Sequence, residues 1–254
     1  RQVWHGLEGV APLAELGELH GGPARLLAAR TGQGAAILLL DAPHLFDRPG
    51  SPYLGPNGQD WPDNHRRFAA LARAAQRIGQ GLLEGWRPDI AHCHDWQAGL
   101  APAYLALDGG ARPGTVLTVH NLAFQGAFPA HLLGELGLPA SAFAIHGVEY
   151  FGGIGFLKAG LFYADRITTV SPTYAREIQT PTHGMALDGL LRAREADLVG
   201  ITNGIDTAVW DPARDPHLAA RYDAGDPAPG KAANKQALQG RFGLEPRSQA
   251  CLFC

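Results

Sequence analysis

The stretch Ile90-Ala91-His92-Cys93-His94-Asp95-Trp96 admits two readings, and the fold turns on the choice. Two histidines around a cysteine, with a carboxylate next in line, could ligate a metal. The same residues could instead form a strand that delivers polar groups to its carboxyl end. In an extended chain alternate side chains face opposite ways, so His92 and His94 share one face and Cys93 takes the other. One ion could reach all three only if the strand were broken. Zinc sites usually draw ligands from two segments, and no second Cys/His cluster of suitable spacing occurs. The stretch therefore reads as a strand, Pro88 to Cys93, with His92 and Cys93 packed and hydrogen-bonded, and no metal is expected. Asp95 and Trp96 are either the cap and packed ring of the next helix or groups that face a ligand.

Working outward, Ala35 to Asp41 is a continuous apolar run that reads as a strand covered on both faces. Asp41 to Asn64 holds five prolines and reads as a long loop. From Asn64 to Trp86 the residues Phe68, Leu71, Ala72, Ala75, Ile78, Leu82 and Leu83 recur at helical steps, behind a cap at Asp63 or Asn64. Gln97 to Leu107 reads as a helix, Thr115 to Val119 as a strand, Gly155 to Ala164 as a helix and Arg166 to Val170 as a strand. Ser171-Pro172 then supplies an N-cap and N1 proline for a helix from Thr173 to Ile178. Leu198 to Thr202 reads as a strand and Lys231 to Phe242 as a helix, with Gly243 at C′. Strands and helices alternating at this spacing predict an α/β fold, a Rossmann-like parallel sheet with helices on both faces.

A chain of 254 residues that is 46% hydrophobic can bury a full core. A formal charge of −3 without Lys/Arg clusters gives no footprint for nucleic acid or for a membrane surface. The longest apolar runs are too short to span a bilayer. Three cysteines, two of them in the last four residues, make no disulfide framework and fit a reducing, cytoplasmic setting. Both ends look cut: there is no initial methionine, and the run from Ala250 to Cys254 resembles the start of a buried strand. The expected organisation is one domain over 1–245, lacking its first βα segment, with 246–254 beginning a second.

Ligands of open parallel sheets bind beyond the carboxyl ends of the strands, where strand order reverses. That rule selects Asp41 with His44, then His94-Asp95-Trp96, then His120-Asn121, then Ser171, then Asn203 to Asp206. His120, just past a buried strand, can hydrogen-bond a sugar hydroxyl or a backbone carbonyl. Ser171 is better explained as a cap than as a nucleophile, because no Gly-x-Ser-x-Gly elbow occurs. No Walker loop or Gly-x-Gly-x-x-Gly follows a strand, so phosphoryl-transfer and dinucleotide classes lose their main signature.

These residues carry a resemblance. Asp41-Ala-Pro-His-Leu-Phe-Asp-Arg-Pro-Gly-Ser-Pro-Tyr53, the His-x-His-Asp-Trp-x-Ala-Gly-Leu run of 92–100, Thr118-Val-His-Asn-Leu-Ala-Phe-Gln-Gly126, Phe156-Leu-Lys-Ala-Gly-Leu161 with Tyr163-Ala-Asp165, Val170-Ser-Pro-Thr-Tyr-Ala-Arg-Glu-Ile178 and Asn203-Gly-Ile-Asp206 occur in one order. Together they resemble the bacterial glycogen synthases and their plant starch synthase relatives. The resemblance covers about Gly34 to Gly243. It implies one half of a two-domain GT-B fold with the active site between the halves. The implied reaction is transfer of glucose from ADP-glucose to the non-reducing end of an α-1,4-glucan (glycogen, maltooligosaccharides) with retention, without metal or dissociable cofactor. By the same resemblance, His120 and Asn203 would serve the transferred sugar, Asp95 and Trp96 would hydrogen-bond and stack on glucan rings, and Tyr53, Asn121 and Gln125 would approach substrate.

The departures from the family pattern are specific. Its amino-terminal Lys-x-Gly-Gly-Leu loop has no counterpart, and Gly21-Gly22-Pro23 is not a substitute. The half that holds the nucleotide and its diphosphate is missing, so the chain alone is expected to be inactive, with an open sheet edge and a tendency to associate. Three alternatives follow: a relative that uses UDP-glucose, a non-catalytic glucan-binding protein on the same half-fold, and a metal-dependent hydrolase built on His92, Cys93, His94 and Asp95.

Overall fold

The computed structural model describes residues 6–252. By its internal contacts the chain divides into two compact units, Arg1–Thr202 and Asn203–Cys254. The boundary expected between 245 and 246 falls inside the second unit. Of the terminal run read as a strand start, 250–252 carry no strand, and 253–254 lie outside the described residues.

The first unit is built on four parallel strands in the order β10 (Leu198–Gly200), β9 (Arg166–Thr169), β5 (Gly114–Val119), β4 (Ile90–His94). These match the strands read from the sequence to within a few residues. The order runs one way, with no reversal among the described strands. Helices α2 (Asn64–Gly79), α3 (Leu100–Leu107), α4 (Phe156–Tyr163) and α6 (Asp188–Ala193) share one core with the sheet face that carries Cys93, Leu117, Val119 and Ile167. The expectation of helices on both faces is corrected by the opposite face, where Ile90 is 58% and Val199 52% exposed and His92, two residues after Ile90 on β4, is exposed too. Helix α5 (Pro172–Glu177) starts as read: Ser171 Oγ accepts from the Thr173 and Tyr174 N–H groups at 3.1 and 3.2 Å.

Two glycines explain why the Ala-Gly-Leu pattern appears twice. A Cβ on Gly160 would sit 2.9 Å from Leu117 and 3.0 Å from the Gly99 Cα, and one on Gly99 would sit 2.1 Å from the Phe156 carbonyl oxygen. Side chains at either position would force α4 away from the turn that follows β4.

Ala36–Asp41 forms a strand, but an antiparallel one. It is β3, the edge of a separate sheet ordered β1 (Leu7–Glu18), β2 (Pro23–Thr31), β3. The reading of a strand covered on both faces is therefore corrected: Leu38 is exposed, as an edge position allows. β1 gave no alternating signal because its pairing with β2 is interrupted by three register irregularities, each of which shifts the side-chain phase. This sheet has its own core, with Leu16 and Leu26 against Leu45 and the α2 residues Ala70 and Ala74. Complete burial of each leucine contributes roughly 2 kcal/mol. Helix α2 thus serves two cores. It ends at Gly79, short of the expected Trp86, where Gln80 caps it and Gly81 turns to φ +96°. Asp63 occupies its N-cap position without bonding its N–H groups, because the carboxylate is held by Arg48 at 2.7 and 2.8 Å.

A third small antiparallel sheet, β6 (Ala127–Pro129), β8 (Gly153–Gly155) and β7 (Glu149–Tyr150), lies between β5 and α4, where the sequence suggested no strand. Strands this short leave no usable period. A four-residue helix, α1 (Pro43–Phe46), likewise interrupts the loop read from Asp41 to Asn64.

The second unit contains α7 (Pro227–Arg241). It closes with Gly243 at φ +65°, Gly243 N–H donating to Gly240 and Leu244 N–H to Gln239, the doubly bonded glycine termination read from the sequence. No helix of the described residues is long and apolar enough to cross a membrane.

Candidate functional site

A cleft of about 680 Å³ lies at the carboxyl ends of β4 and β5, within the first unit. Tyr53, Asp95, Trp96, His120, Asn121 and Gln125, all selected from the sequence, line it.

Asp95 joins the two strand ends. Its N–H donates to the Thr118 carbonyl at 2.9 Å, and its Oδ1 accepts the His120 N–H at 2.7 Å. To do this it adopts φ +52°, ψ −166°, a region costing a non-glycine residue about 1–3 kcal/mol and concentrated at functional sites. Asp95 makes no side-chain cap for the turn that follows, so the cap alternative does not describe it.

His120 is exposed to the cleft, and its Nε2 lies 3.1 Å from Nδ1 of His94. Burial, then the neighbouring His92 and His120, push the His94 pKa below its ordinary value, against the opposing pull of Asp95. At neutral pH the His94 ring is therefore uncharged. His92 bonds Thr118 Oγ1 at 2.6 Å, but it is exposed rather than buried as first read. Cys93 is buried, and burial pushes its thiol up to about 11, so at neutral pH it is not a thiolate nucleophile. Among the described residues no group of three or more His, Cys, Asp or Glu side chains is placed to hold a metal ion.

Trp96 is only 9% exposed. Its ring meets Phe68 edge-on at 4.5 Å and lies about 6 Å from Phe128 and Tyr53. A Cβ on Gly126, itself at φ +59°, would come within 2.4 Å of the indole. These are core contacts, and they leave little of the ring to stack on a sugar. Asn121 Oδ1 accepts the Ala123 N–H at 2.9 Å, shaping the turn after β5. The Gln125 amide donates to the Leu122 carbonyl.

The long loop is fixed from beneath by buried Arg67 on α2. Its guanidinium donates to the Leu45 carbonyl at 2.9 Å, the Pro52 carbonyl at 2.8 Å and Asn64 Oδ1 at 2.7 Å. Tyr53 is thereby held over the cleft, its hydroxyl accepting from Gln97 Nε2 at 2.8 Å. Arg48 lies 4.7 Å from the Trp61 ring centroid while paired to Asp63. Burial works to raise the Asp63 carboxyl, but the Arg48 hydrogen bonds and charge outweigh it and hold the group below its ordinary value.

Sequence reasoning missed Trp61, Gln97 and Phe124, which also line the cleft. Only Trp61 left a signal, as an aromatic residue within the proline-rich loop. Asp41 and His44, selected by the strand-end rule, stand elsewhere: Asp41 pairs with Arg25 across β2 and β3, and His44 bonds the Leu19 carbonyl. The rule does not reach them because β3 is not in the parallel sheet. Asn203 belongs to the second unit and is exposed there, and Asp206 holds a turn by accepting the Ala208 N–H at 2.9 Å. The Lys158 ammonium donates to the Ile145 and Glu149 carbonyls and is absorbed in closing that loop.

A family model described as the starch synthase catalytic domain matches residues 7–193. A glycogen synthase of Rhodopseudomonas palustris is 58% identical over 251 residues, which are 99% of this chain and 52% of its own length. A glycogen synthase of Acidiphilium cryptum is 61% identical over 236 residues, 93% of this chain and 49% of its own length. The catalytic domain of starch synthase IV from Arabidopsis thaliana, solved bound to ADP and acarbose, matches with a TM-score of 0.69 at 30% identity, over 94% of this chain and 49% of that one. The chain thus spans about half the length of the relatives it matches.

Proposed function

Because this chain belongs to the starch synthase catalytic domain family, we propose that it is the acceptor-side half of a glycogen synthase, a hexosyltransferase that moves glucose from ADP-glucose to the non-reducing end of an α-1,4-glucan with retention. The observation that carries this reading is the character of the cleft. Its lining contains aromatic rings, amides, His120 and the carboxylates of Asp60 and Asp95, and among the described residues it contains no lysine or arginine. Such a surface suits a neutral polyol, whose apolar ring faces meet aromatic planes and whose hydroxyls meet amides and carboxylates. It does not suit a diphosphate, which would be held by other residues. The likeness to a structure bound to ADP and acarbose supports the pairing of a nucleotide site with an oligosaccharide site.

Within the cleft, Asp95 fixes where the β5 terminus delivers His120. Carbonyl and imidazole dipoles placed there would stabilise the positive charge that develops on the sugar as its bond to the diphosphate breaks. Asn121 shapes the turn, and Tyr53, Gln97 and Gln125 would meet glucan hydroxyls.

The test is incubation of the full-length gene product with glycogen and labelled ADP-glucose or UDP-glucose. The proposal expects label in polymer from ADP-glucose, released as glucose by an α-1,4-specific exo-glucosidase. Failure of either donor to label polymer, with glycogen still bound, would replace it with the glucan-binding alternative. Label from UDP-glucose alone would reassign the donor.

A further inference from the structure

Two buried polar atoms at the cleft have no hydrogen-bond partner among the described residues: the Trp61 indole Nε1 and Gln125 Oε1. Folded proteins leave few such groups unpaired, and each instance calls for a reason. Neither atom is needed to hold its own side chain. The indole is placed by Arg48 over its ring and by the Trp61 backbone N–H, which donates to the Tyr53 carbonyl at 3.0 Å. The Gln125 amide is oriented by its own Nε2, which donates to the Leu122 carbonyl. A flipped amide would set oxygen against oxygen, so Oε1 is the free atom.

The chemistry of the pair selects a ligand. An indole N–H can only donate and an amide oxygen can only accept. An anion would satisfy the first and leave the second unmet, and a cation would do the reverse. A hydroxyl both donates and accepts, so a polyhydroxylated neutral ligand satisfies both. The same cleft offers such a ligand two exposed aromatic rings, Tyr53 and Phe124.

We propose that Trp61 and Gln125 determine specificity for the glucan, the Trp61 N–H donating to one of its hydroxyl oxygens and Gln125 Oε1 accepting from a hydroxyl. This rests on the proposed function, and it adds a residue of the proline-rich loop to the glucan site. It also carries a consequence opposite to that of a structural role. A group that the fold does not use and the complex does contributes to affinity for the sugar and not to stability without it.

The experiment is calorimetric titration of the full-length gene product with maltoheptaose, alongside thermal unfolding without sugar. The samples are wild type, Trp61→Phe, Gln125→Met and a variant whose residue 61 carries a benzothiophene ring, which keeps the indole shape and removes only the N–H. The inference expects each variant to bind about tenfold more weakly, as loss of one hydrogen bond in a desolvated site predicts. The benzothiophene variant should unfold at the wild-type temperature. Wild type and variants binding maltoheptaose equally would overturn the inference and leave the proposed function standing. A benzothiophene variant that loses stability while keeping its affinity would assign the N–H to the fold and overturn it as well. Wild type that does not bind maltoheptaose would remove the glucan reading and this inference together.

Discussion

Asp95 offers the sharpest test of the cleft's construction, because its backbone and its side chain make separate contributions. The side chain accepts the His120 N–H at 2.7 Å as an ionised acceptor. Such bonds contribute about 1.5–3 kcal/mol, and the half-buried position argues for the lower end, ~1.5 kcal/mol. The backbone at φ +52°, ψ −166° costs about 1–3 kcal/mol for any residue with a Cβ. Asp95→Ala loses the bond and keeps the strain, so the unfolding midpoint should fall by about 3–6 °C. Asp95→Gly loses the same bond but releases the strain, against a chain-entropy cost of ~0.5–1 kcal/mol. It should lie near wild type and above Asp95→Ala. Asp95→Asn keeps a weaker, neutral acceptor and should fall between wild type and alanine. In the full-length gene product all three should lose turnover, asparagine least, because His120 is held more weakly or not at all. Thermal unfolding of the chain and steady-state transfer by the gene product read both quantities. Glycine and alanine variants of equal stability would refute the strain argument. An alanine variant as stable and as active as wild type would refute the role given to the carboxylate.

Other elements predict outcomes as definite. Trp96→Ala should lower stability by about 3–5 kcal/mol in urea unfolding, because the ring is core to Phe68 and Phe128; a loss of glucan affinity without loss of stability would restore a stacking role. Gly160→Ala should destabilise by about 1–3 kcal/mol, because the new Cβ meets Gly99 backbone at 3.0 Å, and an unchanged midpoint would show that α4 can shift freely. Asp165 is held well below its ordinary carboxylate range by the Arg112 guanidinium, against burial and with added bonds from Thr115. A carboxyl lowered in the folded state stabilises above its unfolded pKa near 3.8 and loses that contribution as pH falls below it. Asp165→Asn should therefore flatten the fall in stability measured from about pH 4 downward, and an unaltered slope would exclude the group.

The parallel half of the fold was legible because continuous apolar runs ending in polar residues signal buried strands, and Ser171-Pro172 and Gly243 carry their termination chemistry with them. What escaped has physical reasons. β1 is interrupted by irregular pairing, and β3 has the composition of a buried strand but the pairing of an antiparallel edge. Helices were expected to cover both faces of the sheet, yet the exposed face carries Ile90 and Val199, residues whose composition alone promises burial. In the cleft, the strand-end rule found Asp95 and His120 but gave no means of knowing that one holds the other's backbone. That bond depends on a positive φ at a non-glycine residue, which no spacing announces. Arg67 was invisible for a related reason: a loop's shape is set by side chains donating to its carbonyls, and such bonds leave no periodicity.

The central claim is that this cleft presents His120 to the sugar being transferred. It is tested most directly by the steady-state kinetics of His120→Ala in the full-length gene product, with ADP-glucose and maltoheptaose varied in turn. The account predicts turnover reduced by about 10²-fold, as for loss of one preorganised group at a developing charge, with the KM for maltoheptaose little changed. Turnover at the wild-type level would contradict it and remove His120 from the reacting centre.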